Sequence, residues 1–216
     1  MTKQEREKKL KARLIEMSVF EKEKYSEGIG TIGGVDEVGR GPLAGPVCTA
    51  CVVLPENWDI PGLDDSKKLS EKRRKEMFDI INEKALAVGV AMVDNHVIDE
   101  INILQATKLA MKKAVEECEK KLGASIDHVF VDAVTIDGIE NPQTAIIKGD
   151  AKSISIAAAS IIAKVTRDEW MKEAAKEYPY YDWESNKGYG TKAHYAGIKE
   201  HGICDLHSRS FLKNIL

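Results

Sequence analysis

Four carboxylates in this sequence stand at or just after the ends of short apolar runs, where they could hold metal ions. Asp36 and Glu37 are adjacent, while Asp132 and Asp150 each follow an apolar run further along the chain. Hard divalent cations prefer carboxylate oxygens and keep some water ligands. Four carboxylates in one pocket would repel one another strongly unless cations lay among them. The pattern therefore predicts a two-metal hydrolase site that acts on a phosphodiester.

Each of these acids, taken alone, is more simply a solvated residue at a strand end or in a turn. The adjacent pair also raises a geometric difficulty, because neighbouring residues of a regular strand point to opposite faces. We expect Asp36 and Glu37 to share a pocket because the strand ends or twists between them, with Gly39 so close behind. The placement of four acids at three strand ends is what favours the metal site.

The turn Gly39-Arg40-Gly41 after the acid pair offers groups for a phosphate. An arginine guanidinium grips phosphate through two donors, and flanking glycines leave a backbone that a ligand can approach closely. A lone Gly-Arg-Gly is a weak signal, so its weight comes from the acids beside it.

The apolar runs around these residues predict the elements that hold them. Three strands are expected first, most simply as an antiparallel set, at 29–36, 43–54 and 86–94. Helices are expected from an N-cap at Ser70 to about Glu83, over 98–122, over 154–177 and near 192–201. Two further strands, 128–132 and 144–150, each end in an acid, and strands linked through helices imply parallel pairing with right-handed crossovers. Strand ends distant in sequence converge at one edge of such a sheet.

The composition permits one well-buried domain and argues against some functional classes. The chain has 216 residues, 43% of them hydrophobic, and a net charge of −3. Without a global positive field it does not resemble a protein that coats nucleic acid, which leaves room for an enzyme that grips it locally. We find no apolar run of membrane-spanning length and no secretory signal, so we expect a cytoplasmic protein without membrane association.

Two parts of the chain are expected. Residues 1–27 are rich in Lys, Arg and Glu and predict an amphipathic helix or arm, with Leu10, Leu14, Met17 and Phe20 at helical spacing. Residues 28–216 are expected to form the catalytic domain, including a helical C-terminal part.

The cysteines do not predict a zinc or redox site. Cys48 and Cys51 lie three residues apart in a predicted strand, so their side chains are expected to point to opposite faces. With no second pair, a zinc site would be incomplete. We therefore expect buried free thiols in a reducing compartment.

Five segments together resemble bacterial ribonuclease HII, over about Ile32 to Phe211. They are Gly34-Val-Asp-Glu-Val-Gly-Arg-Gly-Pro-Leu-Ala-Gly-Pro46, Asp65-Ser-Lys-Lys-Leu69, Lys148-Gly-Asp150, Ala158-Ala-Ser-Ile-Ile-Ala-Lys-Val-Thr-Arg-Asp168 and Asn186-Lys-Gly-Tyr-Gly-Thr191. The related type III enzymes replace the arginine of the first segment with lysine and carry a separate N-terminal binding domain. Arg40 and the short leader therefore favour type II.

The resemblance implies an α/β, ribonuclease-H-like fold: a mixed five-stranded sheet flanked by helices, with a helical C-terminal part. It implies a metal-dependent endoribonuclease that hydrolyses RNA in RNA–DNA hybrids and cuts 5′ of a ribonucleotide embedded in duplex DNA, leaving 5′-phosphomonoesters, as in ribonucleotide removal during replication and DNA repair. Two ions of Mg²⁺ or Mn²⁺ per active site are the implied cofactor. Nucleic acid is the expected partner, and we expect a monomer.

Carried over position by position, the family's active-site acids fall on the same four residues that the sequence pattern selected: Asp36, Glu37, Asp132 and Asp150. The implied substrate-binding residues are Gly39, Arg40, Gly41, Lys67 and Tyr189. Backbone groups between glycines can reach a 2′-hydroxyl, which distinguishes RNA from DNA. The arginine and lysine would contact phosphates, and the tyrosine would stack on the sugar of the next nucleotide. Alone, Lys67 would be a solvated lysine and Tyr189 an ordinary turn aromatic.

The C-terminal segment departs from the family pattern. Many relatives read Gly-Pro-Thr-Pro-Ile-His-Arg-x-Ser-Phe where this chain has Gly202-Ile-Cys-Asp-Leu-His-Ser-Arg-Ser-Phe211. The missing prolines are expected to loosen this segment. His207 is a general-acid candidate by its chemistry, but a structural role is the stronger expectation. The other histidines (His96, His128, His194 and His201) show no metal-ligand spacing and receive no role.

Two rival functions remain open at this point. A related two-metal nuclease or integrase-like enzyme would use the same acids on DNA alone, and a silent nucleic-acid binding module would use the fold without chemistry. The Gly-Arg-Gly turn together with Tyr189 counts against the first, since both suit the recognition of a ribonucleotide. The presence of all four acids counts against the second.

Overall fold

The computed structural model describes residues 2–213, except for the side chain of Lys3, and is built around a five-stranded sheet in the order β3-β2-β1-β4-β5. The strands are β1 (Ile32–Val38), β2 (Val47–Val53), β3 (Ala87–Val93), β4 (His128–Asp132) and β5 (Gln143–Ile146). β1, β2 and β3 pair antiparallel, whereas β4 pairs parallel with both β1 and β5. The predicted mixed sheet is confirmed, with its antiparallel first half and parallel second half.

Eight α-helices are described between residues 2 and 213. They are α1 (Lys3–Met17), α2 (Val19–Ser26), α3 (Glu71–Lys84), α4 (Asn95–Ile101), α5 (Ile103–Leu122), α6 (Ile154–Glu177), α7 (Trp183–Asn186) and α8 (Lys192–His201). Single 3₁₀ turns lie at Gly149–Ala151, Pro179–Tyr181 and Arg209–Phe211. None of the helices in this described part of the chain is long and apolar enough to cross a membrane.

The sheet is covered on both faces, α5 packing on β2 and β3 and α6 on β1 and β2. Successive residues of β2 therefore enter different cores: Cys48 packs in the cluster formed with α6, and Cys51 packs in the cluster formed with α5. This confirms that the two thiols face opposite sides, and all four cysteines are free. A β-carbon on Gly34 of β1 would lie 2.0 Å from the carbonyl carbon of Ser155, so only glycine lets α6 start this close to the sheet.

Several element boundaries differ from the sequence expectation for local reasons. The helix expected over 98–122 is divided at Asn102, whose φ of 68° breaks the helical path and whose side chain accepts hydrogen bonds from Leu104 N and Gln105 N to begin α5. The strand expected over 144–150 ends at Ile146, because Lys148 adopts a left-handed conformation with φ 58°. Ser70 does cap α3, accepting from Arg73 N at 3.3 Å.

The expected N-terminal helix over 1–27 is two helices that meet at Ser18. The buried Met17 and the half-buried Leu14 pack against the core beneath α6, so these helices lie along the domain. Met1 and residues 214–216, the outer ends of the two expected parts of the chain, lie outside the described residues.

Candidate active site

The register of the two central parallel strands brings the first pair of acids together. Val35 of β1 pairs with Val131 of β4, so the next residues, Asp36 and Asp132, stand side by side, near the carboxyl end of β1 and at that of β4. Asp132 is level with Ile146, the last residue of β5. The chain then turns back beside Asp132, whose Oδ1 accepts a hydrogen bond from Gly149 N at 2.6 Å.

This turn places the third acid. Asp150 lies in the 3₁₀ turn Gly149–Ala151 and not at the end of the strand itself, so the expectation of an acid-terminated strand over 144–150 is wrong in detail. The acid nevertheless reaches the same edge of the sheet, because the hydrogen bond from Gly149 to Asp132 folds the turn toward β4. Its negative charge is felt by Asp36.

Glu37 joins the group although the strand does not end between the two acids. β1 continues through both of them to Val38, so of the two expected possibilities, an end or a twist between them, the end is excluded. Asp36 is only 6% exposed and its Oδ1 accepts from Glu37 N at 2.7 Å. Glu37 instead turns toward the following loop, where its Oε1 accepts from Arg40 Nη1 at 3.3 Å.

The acids shift one another's protonation, which shows that they form one electrostatic group. Burial raises the pKa of Asp36 well above its usual value, and the charges of Glu37, Asp132 and Asp150 raise it further. Burial also raises the pKa of Glu37, although Arg40 opposes this shift. The pKa of Asp150 is raised by burial and then by Asp65 and Asp132. Such a pocket favours cations, because only a positive charge relieves the repulsion.

Lys67 is one cation that this group already attracts. Burial lowers its pKa, but Asp150, Asp65 and Asp36 outweigh that effect and raise the pKa overall. Its loop is held in place by Ser66 N, which donates to Ser160 Oγ of α6 at 3.2 Å. Within residues 2–213 no set of three or more His, Cys, Asp or Glu side chains is already arranged to enclose a metal ion.

The Gly-Arg-Gly turn and the Tyr189 loop are neighbours in space. A β-carbon on Gly41 would stand 3.4 Å from Cε1 of Tyr189, and Leu43 N donates to Gly188 O at 2.8 Å. The Tyr189 side chain is 43% exposed, so part of its ring is open to a ligand. Gly39 has φ 101°, a conformation that favours glycine, and the turn it makes brings the chain against Arg167.

Arg167 of α6 is a positioning residue that the sequence reasoning missed. It is 0% exposed, and its guanidinium donates to Pro46 O at 2.8 Å, Lys187 O at 2.9 Å and Ala44 O at 3.1 Å. One side chain thus binds the backbone next to both the Gly-Arg-Gly turn and the Tyr189 loop. The available signal was an arginine within the small, apolar segment Ala158–Asp168, because a buried guanidinium must find acceptors.

A buried histidine pair supports the Tyr189 loop from the other side. His194 Nδ1 lies 3.0 Å from Tyr189 O and must carry the hydrogen, so its Nε2 accepts from Trp183 Nε1 at 3.0 Å. Cys204 N donates to His207 Nδ1 at 3.0 Å, which leaves the hydrogen of His207 on Nε2, 3.0 Å from His194 Nε2. Both rings are therefore neutral, and His207 has the structural role expected of it.

The C-terminal segment is held in place rather than loose. His207 forms a β-bridge with Ala44, Gly45 N donates to Leu206 O at 2.9 Å, and Ser208 N donates to Leu43 O at 2.9 Å. Backbone pairing with the chain that follows the Gly-Arg-Gly turn thus does what the prolines of relatives were expected to do. His194 was given no role from the sequence, because only the folded chain places its ring beside His207.

The histidine pair predicts a pH-dependent stability. Burial and the neighbouring His194 lower the pKa of His207 to about 4. Since the unfolded chain binds this proton near pH 6.5, stability from the neutral ring is complete above pH 6.5 and is lost as the pH falls toward 4, by up to about 3 kcal/mol. Urea unfolding of wild type and His207→Gln between pH 7 and 4.5 should show a shallower loss in the variant. Parallel curves would contradict this, and the exposed His96→Gln is the control.

Comparison with known proteins assigns the family. A sequence model described as Ribonuclease HII matches residues 33–214. The ribonuclease HII of Acetivibrio thermocellus is 53% identical over 204 residues, covering 94% of this chain and 78% of that protein. The ribonuclease HII of Clostridioides difficile is 54% identical over 209 residues, covering 97% of this chain and 80% of that protein.

Solved structures agree with the fold. The ribonuclease H2 of Pyrococcus horikoshii OT3 superposes with a TM-score of 0.68 at 27% identity, covering 83% of this chain and 93% of that one. Bst-RNase HIII in complex with Mn²⁺ shares the fold, with a TM-score of 0.64 at 18% identity, covering 80% of this chain and 63% of that one. The ribonuclease-H-like fold is thereby confirmed, and by its sequence over nearly its whole length the chain belongs to the ribonuclease HII family.

Proposed function

We propose that Asp36, Glu37, Asp132 and Asp150 hold two divalent ions, Mg²⁺ or Mn²⁺, in this endoribonuclease. With them it hydrolyses the RNA strand of RNA–DNA hybrids and cuts 5′ of ribonucleotides embedded in duplex DNA. The observation that carries the proposal is the group of carboxylates near the ends of β1 and β4 and after β5, in which the charges of Glu37, Asp132 and Asp150 raise the pKa of Asp36. When bound, such ions supply an activated water and stabilise the leaving oxygen.

The donor set fits these ions. Carboxylate oxygens suit Mg²⁺ and Mn²⁺ better than soft metals. The hydrogen bonds that the acids make to Glu37 N, Gly149 N and Arg40 leave further oxygen lone pairs for a ligand. Burial of Asp36 keeps competing water away from one side of the group. Divalent ions would also relieve the repulsion that raises these pKa values.

The surrounding residues fit the substrate. Arg40 uses one guanidinium nitrogen on Glu37 and keeps donors for a phosphate, while Lys67 places a second cation beside Asp150. The backbone from Gly39 to Gly41 stands next to the exposed ring of Tyr189, so a ribose could meet both. A hydrogen bond between this backbone and the 2′-hydroxyl of the ribose would distinguish a ribonucleotide from a deoxyribonucleotide.

The experiment that tests this function is cleavage of an end-labelled DNA duplex with one ribonucleotide, in Mg²⁺, Mn²⁺ or chelator, beside an all-DNA duplex. We expect a metal-dependent cut 5′ of the ribonucleotide and none in the all-DNA control. Equal cutting of both duplexes would favour a general nuclease. Binding without cutting in any metal would favour a silent binding module.

Gly41→Ala should separate recognition of the ribonucleotide from metal binding. The added methyl meets Tyr189 at an ordinary contact distance of 3.4 Å, so the fold should survive, but the methyl stands where a sugar must approach the backbone. We expect cleavage at a single ribonucleotide to fall roughly 10- to 100-fold, the worth of one contact of about 1–3 kcal/mol. The rise in melting temperature on adding Mn²⁺ should match wild type. Unchanged cleavage would remove this turn from recognition.

We also propose that the protein works as a monomer in the cytoplasm, in ribonucleotide removal during replication and DNA repair. A single chain supplies all four acids together with the Gly-Arg-Gly turn and Tyr189, which supports a monomer. Light scattering during size-exclusion chromatography should give one mass near 23.9 kDa, and a dimer mass would contradict the monomer.

A further inference from the structure

Helix α1 carries cations that lie outside the proposed active site. Its sequence, Lys3–Met17, holds six lysine or arginine and three glutamate residues, although the whole chain has a net charge of −3. Arg6, Lys9 and Arg13 are spaced three and four residues apart and therefore line one side of the helix. We call this set the basic stripe.

The first turns of α1 are well defined. Thr2 and Glu5 form a capping box, in which the Thr2 hydroxyl accepts from Glu5 N at 3.2 Å and the Glu5 carboxylate accepts from Thr2 N at 2.7 Å. This cap engages one of the two carboxylates that flank the basic stripe. The other, Glu16, pairs with Arg13 at 3.0 Å.

Arg13 fixes the stripe at the edge of the active site. Its Nη2 donates to Ala151 O at 2.7 Å and to Asp64 Oδ1 at 3.1 Å. Ala151 follows Asp150 directly, and Asp64 opens the loop that carries Lys67. The guanidinium therefore joins α1 to two segments that bear residues of the proposed site.

The contacts also give the direction of the helix. Further along the N-terminal part, Glu21 of α2 accepts hydrogen bonds from Ser153 and Ser155, whereas Arg13 meets Ala151. Going toward the N-terminus, the contacts of these two helices thus move from the start of α6 to the residue after Asp150. At 1.5 Å per residue, Lys9 lies about 6 Å and Arg6 about 10 Å beyond Arg13 along the axis.

The side chains of Arg6 and Lys9 are both exposed. Across residues 2–213, apart from the Lys3 side chain, Arg6 and Lys9 enter no ion pair or side-chain hydrogen bond. Lys11, on the opposite side of α1, pairs with Glu7 at 3.1 Å. Arg6 and Lys9 are therefore available to an external anion, whereas Arg13 is held by its own partners.

We propose that α1 is a second contact for the nucleic acid substrate, in which Arg6 and Lys9 bind backbone phosphates of the duplex beyond the stretch held at the four acids. Arg13 acts as the positioning residue that holds the helix in place. The ligand is the sugar–phosphate backbone, since a duplex carries about one negative charge per 1.7 Å of its axis. A duplex that extends beyond the cutting site on the side of α1 would therefore bring phosphates close to these cations. This inference rests on the proposed function.

The test compares Arg6→Gln/Lys9→Gln with Lys8→Gln/Lys11→Gln, which removes two charges from the other side of α1. Fluorescence anisotropy with a labelled 24-base-pair duplex bearing one ribonucleotide, in Ca²⁺ and increasing NaCl, measures binding without requiring cleavage. We expect the stripe variant to bind about tenfold more weakly and the slope of log K against log salt to fall by about 2. The control should stay within about twofold of wild type. Equal affinity and slope for wild type and the stripe variant would overturn the inference.

Cleavage provides a second readout, which a structural role of α1 would not produce. With saturating long duplex, kcat of the stripe variant should match wild type while KM rises. With a duplex too short to reach α1, the two enzymes should cut alike. A drop in kcat on both lengths would show a structural role and overturn the proposal. Failure of wild type to cut at the ribonucleotide would refute the proposed function, a result distinct from either outcome for the stripe.

Discussion

Asp36→Asn is expected to lower cleavage by at least about 10³-fold, because it removes a charge from the centre of the acid group while keeping the shape of the side chain. Asp36 is the most deeply buried of the four acids and the one most affected by the charges of the others. Single-turnover cleavage in Mg²⁺ and in Mn²⁺ measures the loss. The exposed Asp59→Asn serves as the matched control and should cut at the wild-type rate.

The same variant has a signature in stability that activity alone does not show. In chelator, Asp36→Asn should melt at a higher temperature than wild type, since burial and neighbouring charges disfavour the Asp36 carboxylate at neutral pH. Adding Mn²⁺ should raise the melting temperature of wild type much more than that of the variant, because the ion stabilises the state that binds it. Undiminished cleavage, or an equal Mn²⁺ shift in both proteins, would exclude Asp36 from the metal site.

Arg167→Ala is expected to lower the free energy of unfolding by about 3–5 kcal/mol, because it leaves two buried carbonyls and one part-buried carbonyl without their donor. These carbonyls belong to Ala44, Pro46 and Lys187, which lie next to the Gly-Arg-Gly turn and the Tyr189 loop. For a chain of this size, such a loss should lower the melting temperature by roughly 10 °C. KM for the ribonucleotide duplex should rise as well, since the Gly-Arg-Gly turn and the Tyr189 loop lose the side chain that joins them.

The control for this change is Lys176→Ala on the same helix. Lys176 makes an exposed pair with Glu173, and the loss of such a pair costs about 0–1 kcal/mol. Urea unfolding of both variants, with cleavage measured below the transition, separates the two effects. If Arg167→Ala lowers the free energy of unfolding no more than Lys176→Ala does, the three carbonyls must find other donors.

The features predicted best from the sequence are the secondary-structure elements and site acids that short-range sequence patterns indicate. The strand His128–Asp132 and the helix Ile154–Glu177 have the bounds that the sequence predicted. The site acids could be selected because a carboxylate after a buried strand serves chemistry better than packing. Their convergence then follows from the parallel pairing of β1 with β4.

What the sequence did not predict depends on contacts between distant segments. The partners of Arg167 lie about 20 and 120 residues away, and His194 meets His207 only when α8 and the C-terminal segment pack together. The divisions at Ser18 and Asn102 are local, but the helical spacing of apolar residues continues across both positions and does not reveal them. Only Asn102 caps the following helix with its side chain. The hydrogen bond from Arg40 to Glu37, made while β1 stays a strand through Val38, was not predicted from the sequence either.

The order of the strands divides the acids by the rigidity of what supports them. Asp36, Glu37 and Asp132 lie on β1 and β4, which have a neighbouring strand on both sides, whereas Asp150 follows β5, a four-residue strand at the border of the sheet. Strands at a border unfold locally at lower free energy than interior ones. In the proposed metal site, three acids are therefore held by interior strands, and Asp150 is held by a segment that can move more easily. Cleavage of a phosphodiester leaves two product ends that must dissociate, and a movable Asp150 would let the site open for their release.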